Sequence, residues 1–418
     1  MDMNRRRFLS LAAATAATAP SLTRALAQSA TQVAHHTTPR KVADVDLFDG
    51  PALVAATDHD RILKAANAFL LEKPDTITNY HSPLSPGGPH DYFSQSDYWW
   101  PDPANPTGSY IRRDGETNPD NFVAHRDVLR RMSIHVPTLT CAWLLTHDIK
   151  YANKAADHLR AWFATPETRM NPNLTYAQII IRYKSMRGIG IIDTLHLIEV
   201  ARSVMFLRGT AALPAADSAA VTGWFADYVT WLTTSKQGTM EREEVNNHGA
   251  SWLLQTSTYA TLTGDTKTVD FCRDRFKNVI VNNQIAKDGS LPLELARTKP
   301  YSYSIFCLDE LADITQLLST PTDNLWLYKG KNGVGIQEAV AFLYPFLKDK
   351  SKWPYKQDVE FWEAFPNRQP CLLFAGLAYK NADYINLWKS LNPDPTVFEA
   401  IRNFPVRQPL LWVMKPKA

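Results

Sequence analysis

From about Val128 onward the chain repeats one pattern, apolar residues at i, i+3, i+4 and i+7, the spacing of an amphipathic α-helix. The pattern covers segments 128–146, 151–164, 188–208, 215–234, 248–263, 267–283, 303–319, 335–348, 357–365 and 368–379. Short breaks rich in Pro, Gly, Asn and Asp separate them, among them Leu213-Pro214, Gly264-Asp265 and Lys287-Asp288-Gly289. Alternating β-branched runs long enough for a sheet are scarce, and no short fixed period recurs. The fold class is therefore all-α. Ten or so antiparallel helices pack as a bundle or as a ring of helical hairpins closing into an (α/α) toroid. The pattern alone does not choose between them.

The first residues read as a targeting segment. Asn4-Arg5-Arg6-Arg7-Phe8-Leu9 is a twin-arginine pattern, and Ala25-Leu26-Ala27 offers a small-x-small cleavage site. Residues 1–27 are thus expected to be a signal peptide, with 28–418 a single domain working in the periplasm or outside the cell. Removing the leader takes away four arginines and one aspartate, so 45 basic and 42 acidic residues become 41 and 41. Such a balance argues against a nucleic-acid partner and leaves room for a local basic groove. No later run is long and apolar enough for a membrane span. Cys141, Cys272, Cys307 and Cys371 lack zinc spacing and sit in apolar contexts, as buried free thiols do.

One stretch departs from the helical habit. Residues 81–121 hold Pro86-Gly87-Gly88-Pro89-His90-Asp91-Tyr92, then Tyr98-Trp99-Trp100-Pro101, then Tyr110-Ile111-Arg112-Arg113-Asp114-Gly115. A loop this long is uncommon in a domain unless it works, and its aromatics suit an ordered wall of a cleft better than a solvated linker.

Two polar clusters could carry chemistry. Glu241-Arg242-Glu243-Glu244-Val245-Asn246-Asn247-His248-Gly249 places two amides and an imidazole at a helix start, with Asn246 or Asn247 as cap. About fifty residues later, Glu294-Leu295-Ala296-Arg297-Thr298-Lys299-Pro300-Tyr301-Ser302-Tyr303-Ser304-Ile305-Phe306 gathers two cations and two phenols. Asn-Asn-His-Gly-x-x-Trp followed by Glu-Leu-x-Arg-Thr-x-x-x-x-Tyr-Ser-x-Phe resembles the helical alginate lyases. The Gly-Gly-Pro-His-Asp-Tyr-Phe and Tyr-Ile-Arg-Arg-Asp-Gly block looks like the same group, closest to polysaccharide lyase family 38. The resemblance covers about residues 80–320. It implies an (α/α) toroid, cleavage of alginate or glucuronan, neither metal nor other cofactor, and a catalytic His and Tyr at His248 and Tyr303.

The chemistry of β-elimination asks for the same residue types. Removing the C5 proton of a uronate is difficult while its carboxylate keeps full charge, so amides or a guanidinium must stabilise the developing enediolate. Asn246, Asn247 and Arg297 suit that task. In mannuronate and glucuronate the C5 hydrogen and O4 lie on the same side, so Tyr303 can act as base and then acid. In guluronate they lie on opposite sides, and His248 can be base with Tyr303 as acid. Tyr301 is the rival phenol, sharing a face with Tyr303 if the segment is extended. For substrate binding, Trp99 and Trp100 offer stacking surfaces. His90, Tyr92, Arg112, Arg113, His125 and Arg126 offer partners for carboxylates and hydroxyls. Gln178 and Arg187 precede a helix that faces the cleft, although Tyr176-Ala177-Gln178-Ile179-Ile180-Ile181-Arg182 is more apolar than in relatives. The partner is thus expected to be an acidic polysaccharide. The alternatives are a toroid glycoside hydrolase, which needs two opposed carboxylates, and a non-catalytic glycan-binding protein.

Overall fold

Burial sorts the helices into two layers. In the computed structural model, which describes residues 45–183 and 186–416, the helices are α1 (Gly50–Phe69), α2 (Ala124–Thr146), α3 (Ile149–Leu159), α4 (Leu197–Leu207), α5 (Ala215–Thr234), α6 (Lys236–Arg242), α7 (Asn247–Thr263), α8 (Thr266–Arg275), α9 (Val281–Gln284), α10 (Pro292–Leu295), α11 (Pro300–Leu318), α12 (Ile336–Lys348), α13 (Pro370–Ala378), α14 (Ala382–Ser390), α15 (Phe398–Arg402) and α16 (Leu410–Val413). The leader expected over residues 1–27 lies outside the described residues. On α11, 17 of 19 residues are buried, which only a helix covered on all sides can show. On α5 burial is confined to the stripe Val221, Trp224, Phe225, Tyr228, Val229 and Leu232. Inner helices follow one another, α2 on α4, α4 on α7, α7 on α11 and α11 on α13. Outer helices back them: α1 and α3 on α2, α5 and α8 on α7, α12 on α11, and α14 on α13. This is the helical-hairpin arrangement of an (α/α) toroid.

The inner helices end around a shared floor, and the long N-terminal loop is tied down beside it. Strand β1 (Phe93–Gln95) pairs in parallel with β4 (Tyr176–Ile179), and β2 (Trp99–Trp100) pairs antiparallel with β3 (Ile111–Arg112). Asn118 donates to the Trp99 carbonyl at 3.0 Å and Asn121 to the Ser96 carbonyl at 3.1 Å. The loop is therefore pinned rather than loose.

The helical pattern misleads in a few places. Residues 357–365 contain only the 3₁₀ turn Trp362–Ala364. Pro366 disfavours helix in the residue before it, and the Asp358 carboxylate instead accepts from the Tyr301 and Ser302 amides at the start of α11. Segment 188–208 is a 3₁₀ turn, Ile189–Thr194, followed by α4. Helix α1 lies before the region where the pattern begins, although Asp49 caps it and Pro51 stands in its first turn. Helix α14 is also additional. The four cysteines are buried free thiols.

Carboxyl groups sit deep in the inner layer. Asp309 on α11 accepts from the Cys371 amide at 3.2 Å, and burial pushes its carboxyl up to about 8. Its unfolded value is near 3.8, so its folded form holds a proton that the unfolded chain releases. The resulting stability is full below that value and is lost as pH rises through the folded value. Asp309→Asn keeps the neutral shape. Chemical denaturation across pH is expected to show that the variant lacks a decline of about 1.4 kcal/mol per pH unit present in the parent at intermediate pH. Parallel curves for the two proteins would mean that Asp309 is ionised in the core.

Candidate active site

The cleft is built where the pinned loop crosses the starts of α7 and α11. Asn246 is the cap of α7, its Oδ1 accepting from the His248 amide at 3.1 Å. Asn247 is held twice by the buried Glu294 carboxylate, through its backbone N–H and its Nδ2, both at 2.7 Å. Gly249 is required by close approach: a Cβ there would stand 2.1 Å from the Glu244 carbonyl oxygen. His248 is turned by Glu241, whose Oε1 lies 2.7 Å from Nδ1. Glu241 is fully buried and His248 partly exposed. Burial raises the Glu241 carboxyl and His248 opposes the rise. With Nδ1–H donated to that carboxylate, Nε2 is left to accept from the cleft.

Tyr303 lies in the first turn of α11, which Pro300 opens. Arg297 reaches it from the turn before. Its Nη2 is 3.2 Å from the Tyr303 hydroxyl, and its guanidinium carbon sits 4.2 Å from the ring centre. Arg297 is held in turn by Asp114, at 3.0 Å and 3.3 Å. Burial penalises the Asp114 carboxylate, yet Arg297 and Arg112 hold it down at about 2. For Tyr303, burial pushes the phenol well above its ordinary value, while Arg297 and Lys299 pull it down.

The floor is a row of opposite charges. Arg126 pairs with Asp97 and, at 3.2 Å, with Asp193. Arg402 from α15 pairs with Asp97 and, at 3.3 Å, with Glu399. Glu399 meets the fully buried Lys299 at 2.7 Å. Arg130 also reaches the cleft, and its carboxylate contact, to Asp127, is long at 3.5 Å. Burial, then Arg126, lowers the Arg130 guanidinium to about 10. Six arginines line the cleft (112, 126, 130, 187, 297 and 402) against the three carboxylates Asp97, Asp193 and Glu244. The cleft is therefore net positive and suited to anionic sugars.

The expected residues divide in two. His248, Asn246, Asn247, Arg297, Tyr303, Trp99, Arg112, Arg126, Gln178 and Arg187 all border the cleft. Gln178 does so from a left-handed backbone (φ 47°), its Nε2 donating to Asp193 at 2.8 Å. Six others stand away from it, a correction with a common cause: they build the walls.

Tyr301 is buried among Trp353 and Trp362, its hydroxyl donating to the Phe346 carbonyl at 2.9 Å. The segment is helical, so residues two apart point to different sides, and Tyr301 faces away from Tyr303's side. Tyr92 donates to Asp193 at 3.1 Å, and His125 bridges the Phe93 amide and the Tyr80 carbonyl. His90 pairs with the Arg169 carbonyl at 2.7 Å. Trp100 donates to the Glu116 carbonyl at 3.1 Å, and Arg113 lies over its ring.

Sequence reasoning missed Tyr98, Asp97, Arg130, Asp193, His196 and Arg402. Only Tyr98 carried a signal, as neighbour of the quoted Trp-Trp pair. Arg402 comes about a hundred residues after the motif that it serves.

Among curated proteins none matches this chain. The alginate lyase family model matches residues 76–353. The crystal structure of an alginate lyase from Bacteroides ovatus is similar with a TM-score of 0.74 and 32% identity, covering 90% of this chain and 97% of that one. A histidine-to-alanine variant of alginate lyase A1-III, from Sphingomonas species A1, complexed with a tetrasaccharide, is similar in fold with a TM-score of 0.54 and 16% identity, covering 92% of this chain and 99% of that one. The family match over most of the chain and the likeness to the Bacteroides ovatus enzyme along nearly its whole length agree, and the chain belongs to the alginate lyase family.

Proposed function

We propose that this polysaccharide lyase cleaves alginate, or the related polyuronate glucuronan, by β-elimination in the cleft, leaving a C4–C5 double bond on the new non-reducing end. The observation that carries the reading is the Tyr303 hydroxyl, set 3.2 Å from Arg297 in a cleft that the oriented His248 also borders. The substrate carboxylate is quenched by the free N–H of Asn247 Nδ2 and by Arg297, so that charge developing on the enediolate meets donors already in place. At mannuronate or glucuronate the ionised Tyr303 takes the C5 proton. The electron pair left on C5 forms the C4–C5 bond as C4–O4 breaks, and Tyr303 returns the proton to O4. At guluronate His248 Nε2 takes the proton and Tyr303 gives its own. The twin-arginine pattern supports export of the folded enzyme to the periplasm or beyond.

Incubation with poly-mannuronate is expected to yield ultraviolet-absorbing unsaturated oligosaccharides. Tyr303→Phe should lower kcat by at least about a hundredfold, and Tyr301→Phe should leave most of it. The opposite order, or chain shortening without the double bond, overturns the reading. Because burial raises the Tyr303 phenol, the ionised base is scarce at neutral pH. Log kcat/KM is therefore expected to rise with a slope of about one as pH goes alkaline, and a flat profile would exclude a phenolate base. Glu241→Gln removes the carboxylate that turns His248. On poly-guluronate it is expected to cost about a hundredfold in kcat, with a smaller loss on poly-mannuronate. Equal losses on both would refuse His248 the role of base.

A further inference from the structure

A second, smaller crevice holds three guanidiniums, those of Arg61 from α1, Arg368 just before α13 and Arg407 after α15. It shares no residue with the catalytic cleft. Two of the three cations are fully engaged. The buried Asp58 carboxylate accepts from Arg61 at 3.0 Å and from Arg368 at 2.7 Å. Arg61 also meets Asp394 at 3.1 Å, the Arg407 carbonyl at 3.2 Å and the Gln408 side chain at 3.3 Å. Arg368 donates to the Lys389 carbonyl at 3.1 Å and lies over the Trp388 ring.

Arg407 differs. Its backbone is spoken for, the N–H donating to Glu199 at 3.0 Å and the carbonyl accepting from Arg61. Its guanidinium joins no ion pair among the described residues, and its Nη1 is shut from solvent without a hydrogen-bond partner. Burial disfavours that charge, and Asp394 and Glu199 only partly oppose the effect. Most buried ionisable groups relieve such a cost by changing protonation, but a guanidinium keeps its proton. Three cations stand against the two carboxylates of Asp58 and Asp394, so one positive charge is in excess. What answers it must carry negative charge and accept without donating, because every guanidinium nitrogen here is a donor. It must also be small, since the crevice has room for about one water-sized group. Sulfate, phosphate and carboxylate are too large, and water brings no charge. A halide meets every condition.

We propose that this crevice is a halide site, taking one chloride ion against Arg407 with Arg61 and Arg368 adding to the attraction. The ion holds residues 404–409 to α1 and to the start of α13. That segment directly follows α15, the helix that brings Glu399 and Arg402 to the floor of the cleft. The site is thus a buttress behind the catalytic floor and takes no part in proton transfer.

The test uses the full-length enzyme and bromide, which substitutes for chloride and is located by its anomalous scattering. Crystals soaked in sodium bromide are expected to show a bromide within hydrogen-bond reach of Arg407 Nη1, and crystals of Arg407→Gln none there. In solution, sodium gluconate is exchanged for sodium chloride at constant ionic strength, which keeps general screening the same. Gluconate is too bulky for the crevice. With chloride about tenfold above its Kd, the parent Tm is expected to rise by about 2 °C, in a saturating manner. Arg407→Gln loses no side-chain hydrogen bond to the protein, so it is expected to fold and to melt at the same temperature in both salts. Bromide absent from Arg407, or bound only on the outer surface, overturns the site. So does an equal response to chloride in parent and variant. Either failure leaves the assignment of Tyr303 untouched, because the crevice lies apart from the cleft.

Discussion

The site depends on a buried row of alternating charge: Lys299, Glu399, Arg402, Asp97, Arg126 and Asp193. Its members come from the start of α11, from α15, from the pinned loop, from α2 and from the turn before α4. No two of these segments need otherwise share a wall of the cleft. Each charge is desolvated, so each requires its neighbours. Removing one partner of such a buried pair costs about 3–5 kcal/mol because the other is left uncompensated. That penalty fixes the loop against the ring of helices more firmly than exposed ion pairs could.

The row also sets the electrostatics that the reaction uses. Its internal pairs cancel, and the surplus of arginine along the cleft belongs to groups at its edge, notably Arg130 and Arg187. A uronate polymer brings one carboxylate per sugar and can satisfy that surplus. The same surplus helps make a phenolate tolerable in a buried place. The carboxyls that position Asn247 and His248 are kept out of the cleft: Glu294 and Glu241 work from behind them. They orient the catalytic side chains without presenting negative charge to an anionic substrate.

The helices, though not their layers, were legible because burial on a helix repeats with its own period. The outer helices, such as α5, show one apolar stripe, and inner ones such as α11 are buried nearly all round, polar side chains included. Errors arose where a local rule met a distant claim. Residues 357–365 have apolar spacing but gave up Asp358 to cap α11, and Tyr301 stood as a rival to Tyr303 until the segment proved helical. Trp100, His90, Tyr92 and His125 have the chemistry of ligands, yet their hydrogen bonds are spent on Glu116, Arg169, Asp193, Phe93 and Tyr80, and Arg113 lies over the Trp100 ring. Composition cannot tell a residue that builds a wall from one that faces the space inside it.

By itself the sequence determined the all-α class, the cap that starts α7, and two polar clusters, Asn-Asn-His-Gly and Arg-x-x-x-x-x-Tyr, each set at a helix start. Each of these is a matter of neighbours within a turn or two, where spacing fixes geometry. Only the tertiary structure decided that Tyr98 meets Tyr303, that Arg402 closes the floor from a hundred residues downstream, and that Glu241 and Glu294 stand behind the catalytic groups. Those contacts join segments distant along the chain. They exist because a desolvated charge or hydroxyl must find a partner, and which partner it finds is settled by how the helices pack.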